Sequence, residues 1–567
     1  MLRQNSFVVS ISDTRPEKAA GASYSDDRVQ VKMEAPNEHY IVFKEMWGAG
    51  FSIFFGERKD DQALDFTRPI NGTSIIYEAD NKTLKVVADE VGAEHLYYRI
   101  EPGSILLSNR LDNLVREEDE PDWTAIQCFL THGYTLKTST FFKDVKQTRP
   151  YQTLSIEVDG PDISEAYYAS QDTAGLNKDE AEIISSFSHR FSEILESYPS
   201  MVLMMSAGWD SRTILAPENA PVAAAYTHGD LSSRETTIAK KLTGQVRKDH
   251  LFTDIRNLEI NNRLLDEIME MNGHCLWPIW HISSRLIARA YNLPITSGVI
   301  GARVGGHNGF PSMGSRWQKV INSLHLLSPA LISKNKITRD LRNALTIPET
   351  FWFTSKAGHE LFTGTRRQTT QQLHDALDDY MEDNEDFATA IEKFNFEHVS
   401  RQYMMKQPAM ARGSLGYYSP LSHPDLLNLA YAIPFRSRLH NKVSQKVIRQ
   451  LNPALLDFPM AATLAKARRP ILVQELSRIL RILIERTSEA LHRNKPRLGW
   501  FNYEHLYTQD VFPEIIDSLT SDLWSKERMK EVIALNPARG IDAGSTLDML
   551  CKIKTVDYYL NLRSNRE

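Results

Sequence analysis

A chain of 567 residues with 42% hydrophobic and 24% charged side chains is long enough for two or more domains, each burying a core. Its 66 basic and 72 acidic side chains leave a formal net charge of −6, which gives no basic footprint for nucleic acid or a membrane surface. No apolar run approaches the roughly 20 residues of a membrane span. The first residues lack a signal-peptide apolar segment. Three cysteines (Cys128, Cys275, Cys551) are too dispersed for a disulfide framework or a cysteine-based zinc site. These features predict a cytoplasmic protein with no nucleic-acid or membrane partner.

Residues 1–35 are polar and weakly patterned, and read as a variable lead-in. From about Tyr40 to Val158 come short β-rich runs, among them Ser52–Phe55, Leu84–Val87, Leu96–Ile100 and Thr153–Ile156. Turn signals such as Asn71-Gly72 and Pro102-Gly103 separate them. Asp122–His132 reads as a helix between them, so the first 165 or so residues form an α+β layered unit. The polar bridge Ala169–Gly175 marks a boundary. Lys178–Tyr198 then places Ile183, Ile184, Phe187, Phe191, Ile194 and Leu195 at helical spacing.

The next stretch is the most informative. An apolar strand, Met201–Met205, runs into Ser206-Ala207-Gly208-Trp209-Asp210-Ser211, and a helix-compatible segment, Arg212–Ala216, follows. Strand, small-residue turn and helix start present backbone N–H groups to an anion. Ser206 and Ser211 add hydroxyls, Gly208 permits close backbone approach, and Asp210 suits a hard cation such as Mg²⁺. The alternative is a turn with Asp210 and Ser211 as ordinary helix caps. No Gly-Lys-Ser/Thr at Walker A spacing is present.

Val222–Thr227 reads as a second buried strand, Asp230–Glu235 as a helix start, and Leu293–Gly298 as a third strand. Alternating strand and helix predicts a parallel α/β sheet with ligands at the strand C-termini. From about Asn308 onward the pattern is mostly helical. Leu472–Leu491 is an amphipathic helix whose apolar stripe reads as core packing.

The loop is similar to the pyrophosphate loop of N-type ATP pyrophosphatases, usually Ser-Gly-Gly-x-Asp-Ser, with Ala207 at the first glycine. The order of segments resembles the asparagine synthetase family over nearly the whole chain. Val86–Tyr98 and Phe129–Tyr134, with Thr140–Phe142 and Arg149-Pro150, are similar to the family's glutaminase-type N-terminal domain. Tyr226–Gly229, Glu235, Ala239 and His250, then Tyr418–Leu421, Ala432–Pro434 and Lys446–Arg449, are similar to its synthetase half. The resemblance implies a glutaminase-like, Ntn-hydrolase-like layered domain over 36–168. It implies a HUP-like parallel-sheet ATP-pyrophosphatase domain with a largely helical C-terminal part over 178–567. It also implies ATP and Mg²⁺ as cofactors, with Ser206, Ala207, Gly208, Asp210, Ser211, Tyr226, Thr227 and Gly298 binding ATP or pyrophosphate and Asp210 holding the metal.

Departures qualify this. The family's glutaminase uses an N-terminal cysteine, but position 2 is Leu2, which offers no nucleophile. In Ser297–His307 the glycines survive, while Ala302 stands where a second magnesium carboxylate is expected and Val299 near a proton-transfer residue. Arg303 either neutralises phosphate charge or is a solvent-exposed loop arginine. The family's adenylation lysine, counted from Phe458-Pro459, falls on Lys466, with Lys446 as the other candidate. The resemblance thus implies an AMP-forming amide ligase joining a small-molecule or peptide carboxylate to an amine or ammonia, and leaves assembly as a homo-oligomer open. The alternative is a catalytically degenerate nucleotide-binding homologue acting through protein contacts.

Overall fold

The computed structural model describes residues 6–12, 22–34, 40–46, 49–57, 65–159, 162–167, 179–306, 333–382, 387–411, 415–490 and 503–564. The chain is α/β, with two antiparallel sheets followed by a parallel sheet and many helices.

The strands run β1 (Ser6–Ser12), β2 (Tyr24–Ser25), β3 (Val29–Glu34), β4 (Ile41–Met46), β5 (Gly50–Gly56), β6 (Gly72–Glu78), β7 (Thr83–Ala88), β8 (Tyr97–Glu101), β9 (Ser104–Ser108), β10 (Val145–Gln147), β11 (Gln152–Glu157) and β12 (Asp162–Tyr167). One sheet has the order β10-β8-β9-β1-β3-β2, the other β12-β11-β7-β6-β5-β4. Alternation at period 2 turns one set of side chains inward from each. Phe7, Val9 and Ile11 of β1 meet Phe51, Ile53 and Phe55 of β5 in a shared core.

This corrects the reading of residues 1–35 as a lead-in. β1 lies between β9 and β3, its Phe7, Val9 and Ile11 are fully buried, and the half-buried Val8, Ser10 and Ser12 alternate with them. Five-residue alternation between polar flanks is a weak sequence signal, and partners supplied from β3 and β9 stabilise it.

Helix α1 (Trp123–His132) begins where expected. Asp122 caps it, its carboxylate accepting from the Thr124 and Ala125 amides, and Gly133 ends it in the left-handed conformation. Its apolar face packs into a second core shared with later helices, including Lys356–Glu382 and Ala543–Ser564. The amino-terminal region therefore does not bury all its apolar surface by itself. The anticipated boundary Ala169–Gly175 lies outside the described residues.

Helix α2 (Glu180–Glu196) buries the predicted stripe, Ile183 to Leu195. There follow β13 (Met201–Met204), α3 (Trp209–Ile214), β14 (Val222–Gly229), α4 (Arg234–Gln245), β15 (Asp249–Asp254), α5 (Asn262–Asn272), α6 (Pro278–Tyr291), β16 (Ile295–Thr296), α7 (Gly301–Val304) and β17 (Tyr417–Tyr418). All pairings in this sheet are parallel, in the order β15-β14-β13-β16-β17. Strands β15 and β17 were not legible: one is polar, the other two residues long.

The helix Ile471–Ala490 forms where predicted, but its placement corrects the expectation of core packing. Leu472, Leu476, Leu480 and Leu483 are 55–75% exposed. No helix among the described residues is long and apolar enough to cross a membrane.

Candidate functional site

The order of the parallel sheet reverses between β13 and β16. Chains leaving these two neighbours diverge, and the crevice at their carboxyl ends is where open α/β sheets receive ligands. The loop after β13 is Ser206–Ser211 and the loop after β16 is Ser297–Gly301, so the sheet brings the two glycine-bearing loops together.

The first loop is tightly self-bonded. Ser206 Oγ and Ser211 Oγ lie 2.8 Å apart, the Gly208 amide donates to Ser206 Oγ at 3.0 Å, and the Ser206 amide donates to Ser211 Oγ at 3.2 Å. The Ala207 amide donates to Glu235 Oε1 at 3.1 Å. Arg212, fully buried, fixes the loop from beneath. Its guanidinium donates to the carbonyls of Ala207 (3.1 Å), Leu455 (3.0 Å), Phe458 (3.3 Å) and Pro459 (3.1 Å). Burial without a touching carboxylate pulls the Arg212 guanidinium down to about 10.

Asp210 is the unsatisfied member. It makes no hydrogen bond or ion pair with a described residue, and removal from water pushes its carboxyl up to about 7. The second loop closes directly on it. A Cβ at Gly298 would lie 2.4 Å from Asp210 Cβ, and one at Gly301 would lie 2.7 Å from Asp210 Oδ1. Only glycine permits that approach. Hydrogen bonds hold this second loop: Ser297 Oγ to the Tyr417 hydroxyl at 2.8 Å, and Ser419 Oγ to the Val299 carbonyl at 3.4 Å.

The remaining predicted site residues fall differently. Thr227 is 2% exposed, and its hydroxyl is spent on the Met205 carbonyl (2.8 Å) and His250 Nε2 (3.0 Å). Tyr226 is fully buried, its hydroxyl 3.1 Å from Ser283 Oγ. Thr227 thus braces the end of β13, while the Tyr226 hydroxyl is turned to α6. Lys466 is 48% exposed and lies 3.7 Å from Asp457, which Arg468 also contacts at 2.9 Å. Its ion-pair partner is thus Asp457 and not Asp210. Lys446 pairs with Glu180 at 2.7 Å on the surface. The backbone of Arg303 lies in α7, while the side chains of Ala302 and Arg303, together with Leu2 and His307, lie outside the described residues.

Several contributors were missed in the sequence. Glu235, Arg212 and Gly301 lie in segments the sequence singled out but with no role assigned; only the fold sets them against the Ser206–Ser211 loop. Glu57 and Asn71 reach across from the amino-terminal region. Glu57 Oε2 accepts from the Ser419 amide at 2.7 Å and from Asn71 Nδ2 at 3.0 Å, and Ser422 Oγ donates to Asn71 Oδ1 at 2.9 Å. With Ser419 touching Val299, these contacts tie the first region to the loop that covers Asp210. Among the described residues, no group of three or more histidine, cysteine or acidic side chains is placed to hold a metal by itself. No protein-family model matches the chain, and no curated protein matches it significantly.

Proposed function

We propose that the chain is an asparagine synthetase-like ATP-dependent ligase that forms an amide through an acyl-adenylate and has no glutaminase activity of its own. The observation that carries this reading is Asp210: a desolvated carboxylate with no partner among the described residues, on a Ser-x-Gly-x-Asp-Ser loop at the point where a parallel sheet reverses order. On this reading the two antiparallel sheets are a degenerate Ntn-hydrolase-like layer, and the parallel sheet is a HUP-like ATP-pyrophosphatase unit.

The crevice would take the triphosphate of ATP between Ser206–Ser211 and Gly298. Asp210 would be the one protein carboxylate on a Mg²⁺ ion whose other ligands come from the phosphates and water, an ordinary arrangement for this cation. Magnesium bound there would neutralise charge on the departing pyrophosphate. A substrate carboxylate oxygen would attack the α-phosphorus, breaking its bond to the pyrophosphate oxygen. An amine or ammonia would then displace AMP at the acyl carbon.

A second reading, a nucleotide-binding homologue without turnover, is favoured by the position of Lys466 on Asp457 and by the absence of an acidic partner beside Asp210 among the described residues. Pyrophosphate exchange into ATP, measured across a panel of carboxylic acids, separates the two. Exchange that disappears in Asp210→Ala supports the ligase. Nucleotide binding without exchange under any acid supports the second reading.

A further inference from the structure

The helix Ile471–Ala490 is attached by its polar face. Gln474 Nε2 donates to the carbonyl of Arg469 at 3.0 Å, Ser477 Oγ to that of Thr463 at 2.5 Å, and Arg481 Nε to that of Ala462 at 2.9 Å. Glu485 binds both Arg481 and Arg234, the first residue of α4. The opposite face carries Leu472, Val473, Leu476, Ile479, Leu480 and Leu483, all 44–75% exposed. An amphipathic helix normally buries its apolar stripe, and a continuous patch of this kind marks an interaction site.

The stripe itself says what covers it. Val473, Leu476, Leu480 and Leu483 follow the 3–4–3 spacing of a helix–helix seam. It is also symmetric about Arg478: reversed on that residue, Val473 comes level with Leu483, Leu476 with Leu480, and Leu472 with Ile484. A surface that matches its own reversal fits a second copy across a twofold axis, because residue i then meets j while j meets i. At ~120 Å² for a fully buried aliphatic side chain, the bare stripe offers on the order of 500 Å² per copy. The pair therefore reaches somewhat under 1,000 Å², roughly the size of a weak, concentration-dependent interface.

We propose that this helix is a homodimer interface, packing antiparallel on the same helix of a second copy with the dyad at Arg478. The proposal does not depend on the ligase reading. It also places the dimer seam beside the nucleotide crevice, because the 458–467 hairpin beneath the helix accepts hydrogen bonds from Arg212 and Arg234.

Sedimentation velocity on the full chain tests it. The wild type is expected to run as a dimer at micromolar concentration, and Leu476→Glu with Leu480→Glu as a monomer. Both positions are exposed in the single chain, so the far-ultraviolet circular dichroism should stay unchanged. Orientation is read with a short bismaleimide: Leu472→Cys mixed with Ile484→Cys should cross-link between the two variants, and neither with itself. The native cysteines are buried and give little background. A monomeric wild type, a dimer that survives the double substitution, or Leu472→Cys cross-linking to itself would overturn the proposal. A monomer that binds phosphatidylglycerol vesicles, and stops binding in the double variant, would assign the face to a membrane surface instead.

Discussion

Gly301 and Asp210 are in such close contact that a single methyl group on Gly301 would lie 2.6 Å from the Asp210 carboxyl carbon. The crevice at the sheet reversal thus depends on a missing side chain as much as on a present one. Gly301→Ala or Gly298→Ala should push the second loop off Asp210. Overpacking of this kind costs about 1–3 kcal/mol, read as a lower denaturation midpoint, and ATP affinity should fall at least tenfold in a calorimetric titration. A variant that binds ATP as the wild type does would show that the loop plays no part in the site.

Asp210 also predicts a pH dependence. Its carboxyl is raised from 3.8 to about 7 in the fold, so between these values the native state holds a proton that the unfolded chain has released. The stability it contributes is present below the unfolded value and is lost as pH rises towards 7. Asp210→Asn should flatten that slope in denaturation curves measured from pH 4 to 8. Magnesium-ATP binding should move the opposite way, strengthening as pH rises through about 7 in the wild type and losing that dependence in the variant.

Thr227→Val tests the role of β14. The hydroxyl bonds the Met205 carbonyl, so its loss is felt in stability, on the order of 1 kcal/mol. The Michaelis constant for ATP should change less than twofold in the exchange assay. A tenfold rise would place the hydroxyl on the nucleotide after all.

Arg438 donates to both oxygens of Glu392 at 2.5 Å, with both side chains buried. Removing one charge strands the other in a medium that solvates it poorly. Glu392→Ala is expected to cost about 3–5 kcal/mol. The apolar double substitution Glu392→Leu with Arg438→Met should recover part of that loss in a urea titration.

Glu57 joins the amino-terminal region to Ser419, beside the loop over Asp210. Glu57→Ala leaves the amide of buried Ser419 without its acceptor, a cost of about 1–3 kcal/mol. Because Ser419 touches Val299, ATP affinity should weaken as well. An unchanged affinity at reduced stability would make the contact purely structural.

What the sequence determined by itself was local. Apolar spacing at 3.6 residues was enough for α2, and α1 was legible because its ends, capped by Asp122 and stopped at Gly133, are set within a few residues. The strand–loop–helix around Ser206–Ser211 was legible for the same reason, as was the β-rich character of the first region. The tertiary structure decided everything that needed distant partners. It made a central strand of β1, which β3 and β9 stabilise on either side. It set Gly298 and Gly301 against Asp210, spent Thr227 on bracing β13 and Tyr226 on α6, and left Lys466 with Asp457 at the surface. It also turned the helix Ile471–Ala490 outward. Amphipathic spacing says that an apolar stripe must be covered, but only the packed chain shows that polar hydrogen bonds hold the opposite face and that the cover has to come from elsewhere.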